Sequence, residues 1–189
     1  KPNLPSFHVH GDEGFGNLKI QFPKKQKCKH SAEKFISIIC RKYPGQITLC
    51  PIGPLTNIAN LLKNDPEIVN FVKKIVIMGG ALKCKGNVSE FAEANIWNDP
   101  DAADIVFKGN WKIEMIGLDV TQKIFSTRDD FKLLKKNCPI VGGFLNEISN
   151  FYFNFYKSVT GKDICLMHDP SALIAVTDPS LFTFEKYPL

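Results

Sequence analysis

Residues 74–80 read Lys-Ile-Val-Ile-Met-Gly-Gly, a short apolar run that ends in two glycines. A run of this length without a charge after its first residue is typical of a β-strand that is buried on both faces. The two glycines predict a turn directly after the strand. We therefore expect a buried strand over residues 74–78, and the flanking sequence predicts which elements cover it.

Strands and helices are predicted to alternate on both sides of this run. Further strands are expected at residues 47–50, which carry no charge, and at residues 113–118. Caps, first-turn prolines and apolar periodicity predict helix starts at Ser31, Thr56, Asp65-Pro66, Asp99-Pro100, the capping box of Thr127 with Asp130, Pro139 and Asp169-Pro170. Strands separated by helices indicate a parallel sheet in a layered α/β fold. In such folds ligands bind beyond the carboxyl ends of the strands.

Polar side chains with little net charge follow the strand at residues 74–78. Asn87, Glu93 and Asn95 offer donors and acceptors that suit neutral hydroxyl groups better than phosphate. Farther along the chain, His168-Asp169-Pro170 combines a proton carrier, a hard carboxylate ligand and a proline suited to the first turn of a helix. Together these residues predict a sugar site and hydrolysis of a glycosidic bond.

Composition predicts one globular domain over residues 1–189. The 189 residues are 44% apolar and 23% charged, which is enough to bury a core. The net charge of +5 includes a run at Lys24, Lys25, Lys27 and Lys29 without interleaved aromatics, so we expect a solvated loop and no nucleic-acid partner. No apolar run is long enough to span a membrane. Six cysteines without zinc or disulfide spacing indicate reduced thiols in a cytoplasmic protein.

Each candidate residue also has a purely structural interpretation. Asp169 before a proline is typical of an N-cap, and His168 could cap the same helix. Asn87 fits a turn, Asn95 could tie down its loop, and Met78 fits core packing. The joint pattern favours function over any of these separate interpretations.

Two further groups are left outside the predicted site. Asp119 and Thr121 follow the third strand and are interpreted as residues that orient the next loop. Neighbouring aromatic residues in the long segment from Pro139 cannot all face one pocket, so we predict that most lie in the core while one stacks on a base. They are Phe151, Tyr152, Phe153, Phe155 and Tyr156.

Eight short motifs stand in an order that resembles the nucleoside hydrolases. They are His8-Val9-His10-Gly11-Asp12-Glu13-Gly14-Phe15-Gly16, Gly53-Pro54-Leu55-Thr56-Asn57, Met78-Gly79-Gly80, Gly86-Asn87, Glu93-Ala94-Asn95, Asp99-Pro100, Leu118-Asp119-Val120-Thr121 and His168-Asp169-Pro170. The sequence is most similar to the inosine-uridine type and, within it, to plant uridine nucleosidases. The resemblance implies an open, mostly parallel sheet with helices on both faces, a bound calcium ion, and hydrolysis of ribonucleosides to ribose and free base.

The resemblance also implies roles for residues that match the family motifs. Asn87 resembles the residue that contacts ribose, and Glu93 with Asn95 resembles the pair that holds the 5′-hydroxyl. Met78 resembles the methionine that lines the sugar pocket. His10 resembles a histidine near the base, in a mobile loop.

Calcium and the leaving base complete the implied site. Ile52 would offer its backbone carbonyl to calcium, and Asp169 would supply a carboxylate that also reaches a ribose hydroxyl. His168 resembles the histidine that protonates the departing base, so we expect it to be catalytic. The family resemblance further implies a homo-oligomer, a dimer or a tetramer, and a preference for uridine or inosine.

One family motif has no counterpart in this sequence. The aspartate-rich segment that supplies most calcium ligands and the base that activates water does not occur, and the final strands and helix of the family are not reached. We therefore expect a fragment, a truncated isoform or an incomplete gene product that binds calcium poorly and hydrolyses nothing alone. The alternative is a noncatalytic homologue that binds nucleoside or pairs with a full-length subunit.

Overall fold

The computed structural model describes residues 6–20 and 28–187. The strands are β1 (Ile47–Leu49), β2 (Val72–Met78), β3 (Ile113–Ile116), β4 (Phe125–Ser126) and β5 (Cys165–Leu166). The helices are α1 (Phe7–His10), α2 (Ala32–Lys42), α3 (Thr56–Asn64), α4 (Ala94–Asn98), α5 (Pro100–Phe107), α6 (Leu118–Thr121), α7 (Arg128–Asn137), α8 (Pro139–Thr160) and α9 (His168–Thr177). Single short 3-10 helices occupy Pro66–Asn70 and Pro179–Leu181.

The described residues form two compact units. The first comprises residues 28–121 and 168–187, and the second comprises residues 6–20 and 122–167. The first unit holds strands β1 to β3 and the helices around them, whereas the second holds the β4–β5 pair with α1, α7 and α8. One domain over the whole chain stays a prediction.

The sheet of the first unit is parallel and runs in the order β1-β2-β3. Side chains along β2 alternate between two apolar clusters. Ile75 and Ile77 contact the cluster that includes α3 and α5, whereas Val76 and Met78 contact the cluster that includes α9. Successive side chains of a strand point to opposite faces, so helices cover both faces of β2. The predicted α/β sheet with helices on both faces is confirmed.

Local capping explains several helix starts. The Asp99 carboxylate accepts a hydrogen bond from the Ala102 amide over 3.1 Å at the start of α5. Thr127 and Asp130 form the predicted capping box of α7. A cap of this kind stabilises a helix by about 1 kcal/mol. Helix α9 begins at His168, so Asp169 lies inside its first turn, and the N-cap interpretation of Asp169 is wrong.

Several element boundaries differ from the predictions. Strand β2 begins at Val72 and not at Lys74, and β1 ends at Leu49 and not at Cys50. The helix expected from Asp65-Pro66 is only the 3-10 helix Pro66–Asn70, because strand β2 begins two residues later and leaves room for no more. Strand β3 ends at Ile116 and not at Leu118. The Leu118 amide instead donates to the Gly80 carbonyl over 2.9 Å, and α6 starts at this residue.

Helices α7 and α8 pack against each other in the second unit. Arg128 at the start of α7 donates to Asp163 over 2.8 Å, and its guanidinium lies 4.5 Å from the ring centroid of Phe153. Of the five neighbouring aromatic residues of α8, Phe153 and Tyr156 are buried, whereas the others are half-buried. The prediction that most are core therefore holds only for these two. A helix turns about 100° per residue, so neighbours cannot share its buried face.

Two predictions concern the chain surface. Lys24, Lys25 and Lys27 of the lysine run lie outside the described residues, and Lys29 is exposed. Across residues 6–20 and 28–187, no helix combines the length and the apolar composition needed to cross a membrane.

Candidate functional site

Glu93 organises the loop that follows β2. The residue occupies the N-cap position of α4, and its carboxylate accepts hydrogen bonds from the amides of Asn95 over 2.9 Å, Ile96 over 3.2 Å and Gly80 over 3.0 Å. Only 2% of Glu93 is exposed. The Gly80 bond links the end of the loop back to the carboxyl end of β2. Glu93 therefore holds α4 against the strand end where a ligand is expected.

Asn95 is anchored on the last residue of β2. Its side-chain amide donates to the carbonyl oxygen of Met78 over 3.0 Å and lies 3.2 Å from the Met78 sulfur. Met78 is buried in the apolar cluster under α9, so its side chain belongs to the core. This arrangement uses the donor end of the Asn95 side chain and points to its carbonyl oxygen as the group for a ligand.

Asn87 lies beside the Glu93 and Asn95 pair. Its side-chain oxygen accepts a hydrogen bond from the Ala94 amide over 2.9 Å, which closes the loop on itself. The turn before it is tight, because a Cβ atom on Gly86 would lie 2.2 Å from the Ala92 carbonyl oxygen. Asn87 is exposed. The loop therefore presents the amino group of Asn87 at the surface, where it can donate to a hydroxyl.

His168 contacts a residue of α6, the short helix that follows β3. Its Nδ1 lies 2.7 Å from the hydroxyl oxygen of Thr121, the last residue of α6. Burial lowers the pKa of His168 to about 4. The imidazole is therefore neutral near pH 7 in this environment.

Asp169 keeps a carboxyl group that reaches solvent although protein atoms crowd it. This crowding raises the pKa of Asp169 to about 6, and the negative charge of Glu93 is the second cause. Asp169 in turn adds to the effect of burial in raising the pKa of the Cys50 thiol. Cys50 after β1, Glu93 in the loop after β2 and Asp169 at the start of α9 therefore lie close enough to interact electrostatically.

Ile52 follows β1 at the same end of the sheet. The carbonyl of the preceding Pro51 accepts a hydrogen bond from the Met78 amide over 3.0 Å, which ties this segment to β2. The Ile52 side chain is 50% exposed, and only its backbone carbonyl is a plausible ligand.

Some of the residues at this end of the sheet are suited to bind a calcium ion. Calcium takes about six to eight oxygen ligands. Residues 6–20 and 28–187 contain no group of three or more His, Cys, Asp or Glu side chains that could hold a metal. The Asp169 carboxylate and the Ile52 carbonyl are nevertheless hard oxygen donors. The raised pKa of Asp169 means that its charged form is disfavoured, and a bound cation would stabilise that form. These two residues fit part of a calcium site.

His10 lies in the second unit, at the end of α1. Its ring stacks on Tyr152 of α8, with centroids 5.7 Å apart and an angle of 10° between the planes. Burial, followed by the charge of His8, lowers the pKa of His10. The predicted contact of His10 with a base stays a prediction.

Three residues outside the predicted site contribute to its geometry. Thr121 contacts His168, Gly80 donates to Glu93, and Cys50 lies within electrostatic reach of Asp169. The sequence carried one signal for Thr121, its place after a predicted strand end. The partner of Gly80 lies 13 residues farther along the same loop, and the partner of Cys50 lies at the start of α9, so no short pattern indicated them.

Comparison with protein families gives a match over the whole chain. The model of the inosine-uridine preferring nucleoside hydrolases matches residues 1–189. A probable uridine nucleosidase 1 from Oryza sativa subsp. japonica is 37% identical over 98% of this chain and 57% of the relative. An inosine-uridine preferring nucleoside hydrolase from Crithidia fasciculata is 36% identical over 96% of this chain and 58% of the relative.

Solved structures give the same result. A plant nucleoside hydrolase superposes with a TM-score of 0.92 at 34% identity, covering 96% of this chain and 57% of that protein. A purine-preferring ribonucleoside hydrolase from Gardnerella vaginalis superposes with a TM-score of 0.90 at 40% identity, covering 94% of this chain and 56% of that protein. The chain thus spans a little more than half the length of these relatives.

Proposed function

Because the chain belongs to the inosine-uridine preferring nucleoside hydrolase family, we propose that the protein hydrolyses the N-glycosidic bond of ribonucleosides of the uridine and inosine type. The products would be ribose and free base, as needed for purine and pyrimidine salvage. One observation carries the proposal: Asn95 donates to the Met78 carbonyl, and Met78 packs in one apolar cluster with Ala172 of α9, so the loop after β2 and α9 meet at one end of the sheet.

Ribose recognition is assigned to the loop after β2. Asn87 would donate from its exposed amino group, and Asn95 would accept through its side-chain oxygen. Three amides already occupy the Glu93 carboxylate, which has about four acceptor positions, so one position remains for the 5′-hydroxyl. Met78 would contribute to the sugar pocket through its contact with Asn95.

The reaction breaks the bond between the anomeric carbon and the base nitrogen. A water oxygen bonds to that carbon, and one proton reaches the departing base. The sugar passes through a state that resembles an oxocarbenium ion, which nearby carboxylate oxygen stabilises. Asp169 is proposed for this role and for binding a ribose hydroxyl. His168, its neighbour in the chain, is proposed to face the base.

Calcium is proposed as the cofactor, held in part by the Asp169 carboxylate and the Ile52 carbonyl. When bound, it would supply positive charge to ribose hydroxyls and lower the pKa of a coordinated water. The described residues contribute only these two ligands. We therefore expect the 189 residues alone to bind calcium with a dissociation constant of about 1 mM or weaker.

Location and assembly are two further parts of the proposal. The six cysteines, all within the described residues, form no disulfide, which suits a reducing compartment such as the cytoplasm. The family resemblance favours a homo-oligomer, a dimer or a tetramer, which light scattering during size-exclusion chromatography would measure directly.

A noncatalytic role is the second candidate. It is favoured by the lack of a three-ligand metal group among residues 6–20 and 28–187. In this role the chain would keep the ribose loop and bind nucleoside, or pair with a full-length subunit.

Calorimetry and a ribose-release assay separate these candidates. Uridine and inosine are titrated against 2′-deoxyuridine and uracil, and release of ribose is measured with and without a chelator. The variant Asp169→Asn is compared with Asp101→Asn, because Asp101 is also an exposed aspartate in a first helical turn. Only Asp169→Asn should weaken binding.

Each outcome bears on one candidate. Ribose release that the chelator stops would establish the hydrolase and exclude the noncatalytic role. Binding without release by the 189 residues is the result we expect, with release restored when the chain is joined to the unmatched segments of a relative. If no ribonucleoside binds more tightly than uracil, both candidates fail.

A further inference from the structure

Thr121 is a fully buried hydroxyl at the end of α6. Its exposed fraction is 0%, and its oxygen lies 2.7 Å from Nδ1 of His168. The Thr121 amide donates to the Gly117 carbonyl over 3.0 Å, which fixes the residue at the carboxyl end of β3. Among residues 6–20 and 28–187, His168 is the single hydrogen-bond partner of the Thr121 hydroxyl.

The position of the hydroxyl proton follows from this burial. A threonine hydroxyl has one proton to donate, and a buried donor without an acceptor is unfavourable. If Nδ1 of His168 carried a proton, Thr121 would have to accept, and its own proton would have no partner. The same holds for the doubly protonated imidazolium, which also has a proton on Nδ1. Only an unprotonated Nδ1 satisfies both groups.

We propose that Thr121 is a positioning residue that holds His168 as the neutral tautomer with its proton on Nε2. The inference rests on the proposed function in one respect, namely that His168 faces the nucleoside. It deepens that function by assigning the chemistry that His168 offers to the base. The Thr121 hydroxyl donates to Nδ1, and Nε2–H is thereby directed as a donor.

A neutral imidazole with Nε2–H stabilises a departing base differently from an imidazolium. It donates a hydrogen bond to a base oxygen or nitrogen as negative charge develops there, and it keeps its own proton. The proton that the base finally takes comes from solvent water, so the overall hydrolysis stays balanced. His168 is then a hydrogen-bond donor to the leaving group and not the acid that the sequence resemblance implies.

Nitrogen NMR tests the tautomer without any substrate. In long-range proton–nitrogen spectra of the ¹⁵N-labelled 189-residue chain at pH 7, each imidazole shows which of its nitrogens carries a proton. The chain has four histidines, and the signals of His168 are those lost in His168→Gln. We expect Nε2–H as the dominant form in the wild type. A dominant Nδ1–H form or a doubly protonated ring in the wild type would overturn the proposal.

Two variants of Thr121 separate positioning from packing. Thr121→Ser keeps the hydroxyl and should keep the Nε2–H pattern, whereas Thr121→Val keeps the shape and should raise the Nδ1–H fraction several-fold. Backbone amide spectra of strands β1 to β3 check that both variants fold. An unchanged tautomer in folded Thr121→Val would refute the role of Thr121. If Thr121→Val does not fold, the wild-type and Thr121→Ser spectra still decide the tautomer.

Addition of uridine distinguishes this inference from the proposed function. A shift of the His168 Nε2 signal, together with little change at Nδ1, is the expected result. Failure of the chain to bind uridine more tightly than uracil would count against the proposed function and would leave the tautomer result intact. Uridine that binds without moving the Nε2 signal would overturn the assignment of His168 as its hydrogen-bond donor.

Discussion

The loop after β2 and the start of α9 each bring a carboxylate to the same end of the sheet, but the two carboxylates differ in their surroundings. Glu93 is buried and accepts hydrogen bonds from three backbone amides. Asp169 reaches solvent, has no hydrogen bond or ion pair within the described part of the chain, and has a raised pKa.

Glu93 therefore has a structural carboxylate, whereas the carboxylate of Asp169 is available to a ligand. The oxygens of Glu93 hold α4 and the strand end in place, so most of their capacity is used inside the protein. Asp169 is held by its helix and not by partners of its carboxylate, so its oxygens remain available for a hydroxyl or a cation. Removal of each carboxylate should therefore produce opposite effects on stability and on binding.

The largest effect is expected for Glu93→Ala. Three part-buried amides, those of Gly80, Asn95 and Ile96, would lose their acceptor, and the free energy of unfolding should fall by about 3 kcal/mol or more. Urea denaturation measures the change. Glu90→Ala, an exposed substitution in the same loop, is the control and should stay within about 0.5 kcal/mol of the wild type. Equal stability of the two variants would show that the amide bonds to Glu93 contribute little.

Asp169→Asn should weaken binding without lowering the free energy of unfolding. Loss of a charged hydrogen-bond acceptor typically weakens binding by about 1.5 to 3 kcal/mol, which corresponds to roughly a tenfold to hundredfold higher dissociation constant for uridine. Calorimetry measures this, with Asp101→Asn as the matched control. A marked drop in the unfolding free energy of Asp169→Asn would mean that Asp169, like Glu93, is structural.

The pH dependence of stability should report the raised pKa of Asp169. Its pKa rises from an ordinary 3.8 to about 6 on folding, so the folded chain holds this proton more tightly than the unfolded chain. The stabilising contribution is complete below about pH 4 and is lost as the pH rises through about 6. Asp169→Asn does not titrate, so its melting temperature relative to the wild type should increase over this range and then level off. Parallel melting profiles from acid to neutral pH would contradict the shift.

The smallest effect is expected at an exposed contact of the loop that carries Glu93. Lys83 forms an ion pair with Glu185 over 2.8 Å and lies 4.9 Å from the ring centroid of Tyr187. Exposed pairs of this kind contribute about 0.2 to 1 kcal/mol. Lys83→Glu should lower the unfolding free energy by that amount, and the exchange Lys83→Glu with Glu185→Lys should restore it. If Lys83→Glu lowered the unfolding free energy as much as Glu93→Ala does, the distinction between buried and exposed contacts of this loop would be wrong.

Much of the fold was predictable because its signals are local. The apolar run after Lys74 predicted β2, the capping box of Thr127 with Asp130 predicted α7, and strands alternating with helices predicted a parallel sheet. The 3-10 helix after Asp65 was not predicted, because its length depends on where β2 begins. The order of the motifs also predicted the family that the comparisons identify.

The candidate site was predictable as a set of residues but not as a set of roles. Asn87, Glu93 and Asn95 do lie together, yet the sequence did not reveal that Glu93 is occupied by three amides. Thr121 was set aside as a loop residue, although it is the partner of His168.

By itself the sequence determined the order of strands and helices, their caps, and the polar residues that follow each strand, because these depend on neighbours along the chain. Only the tertiary structure decided which carboxylate is satisfied, which is exposed with a raised pKa, and which nitrogen of His168 meets a hydroxyl. The surroundings of Asp169 and the contact of Thr121 with His168 depend on atoms that belong to other strand ends. Residues far apart in sequence supply those atoms, so no local pattern of side chains contains the information.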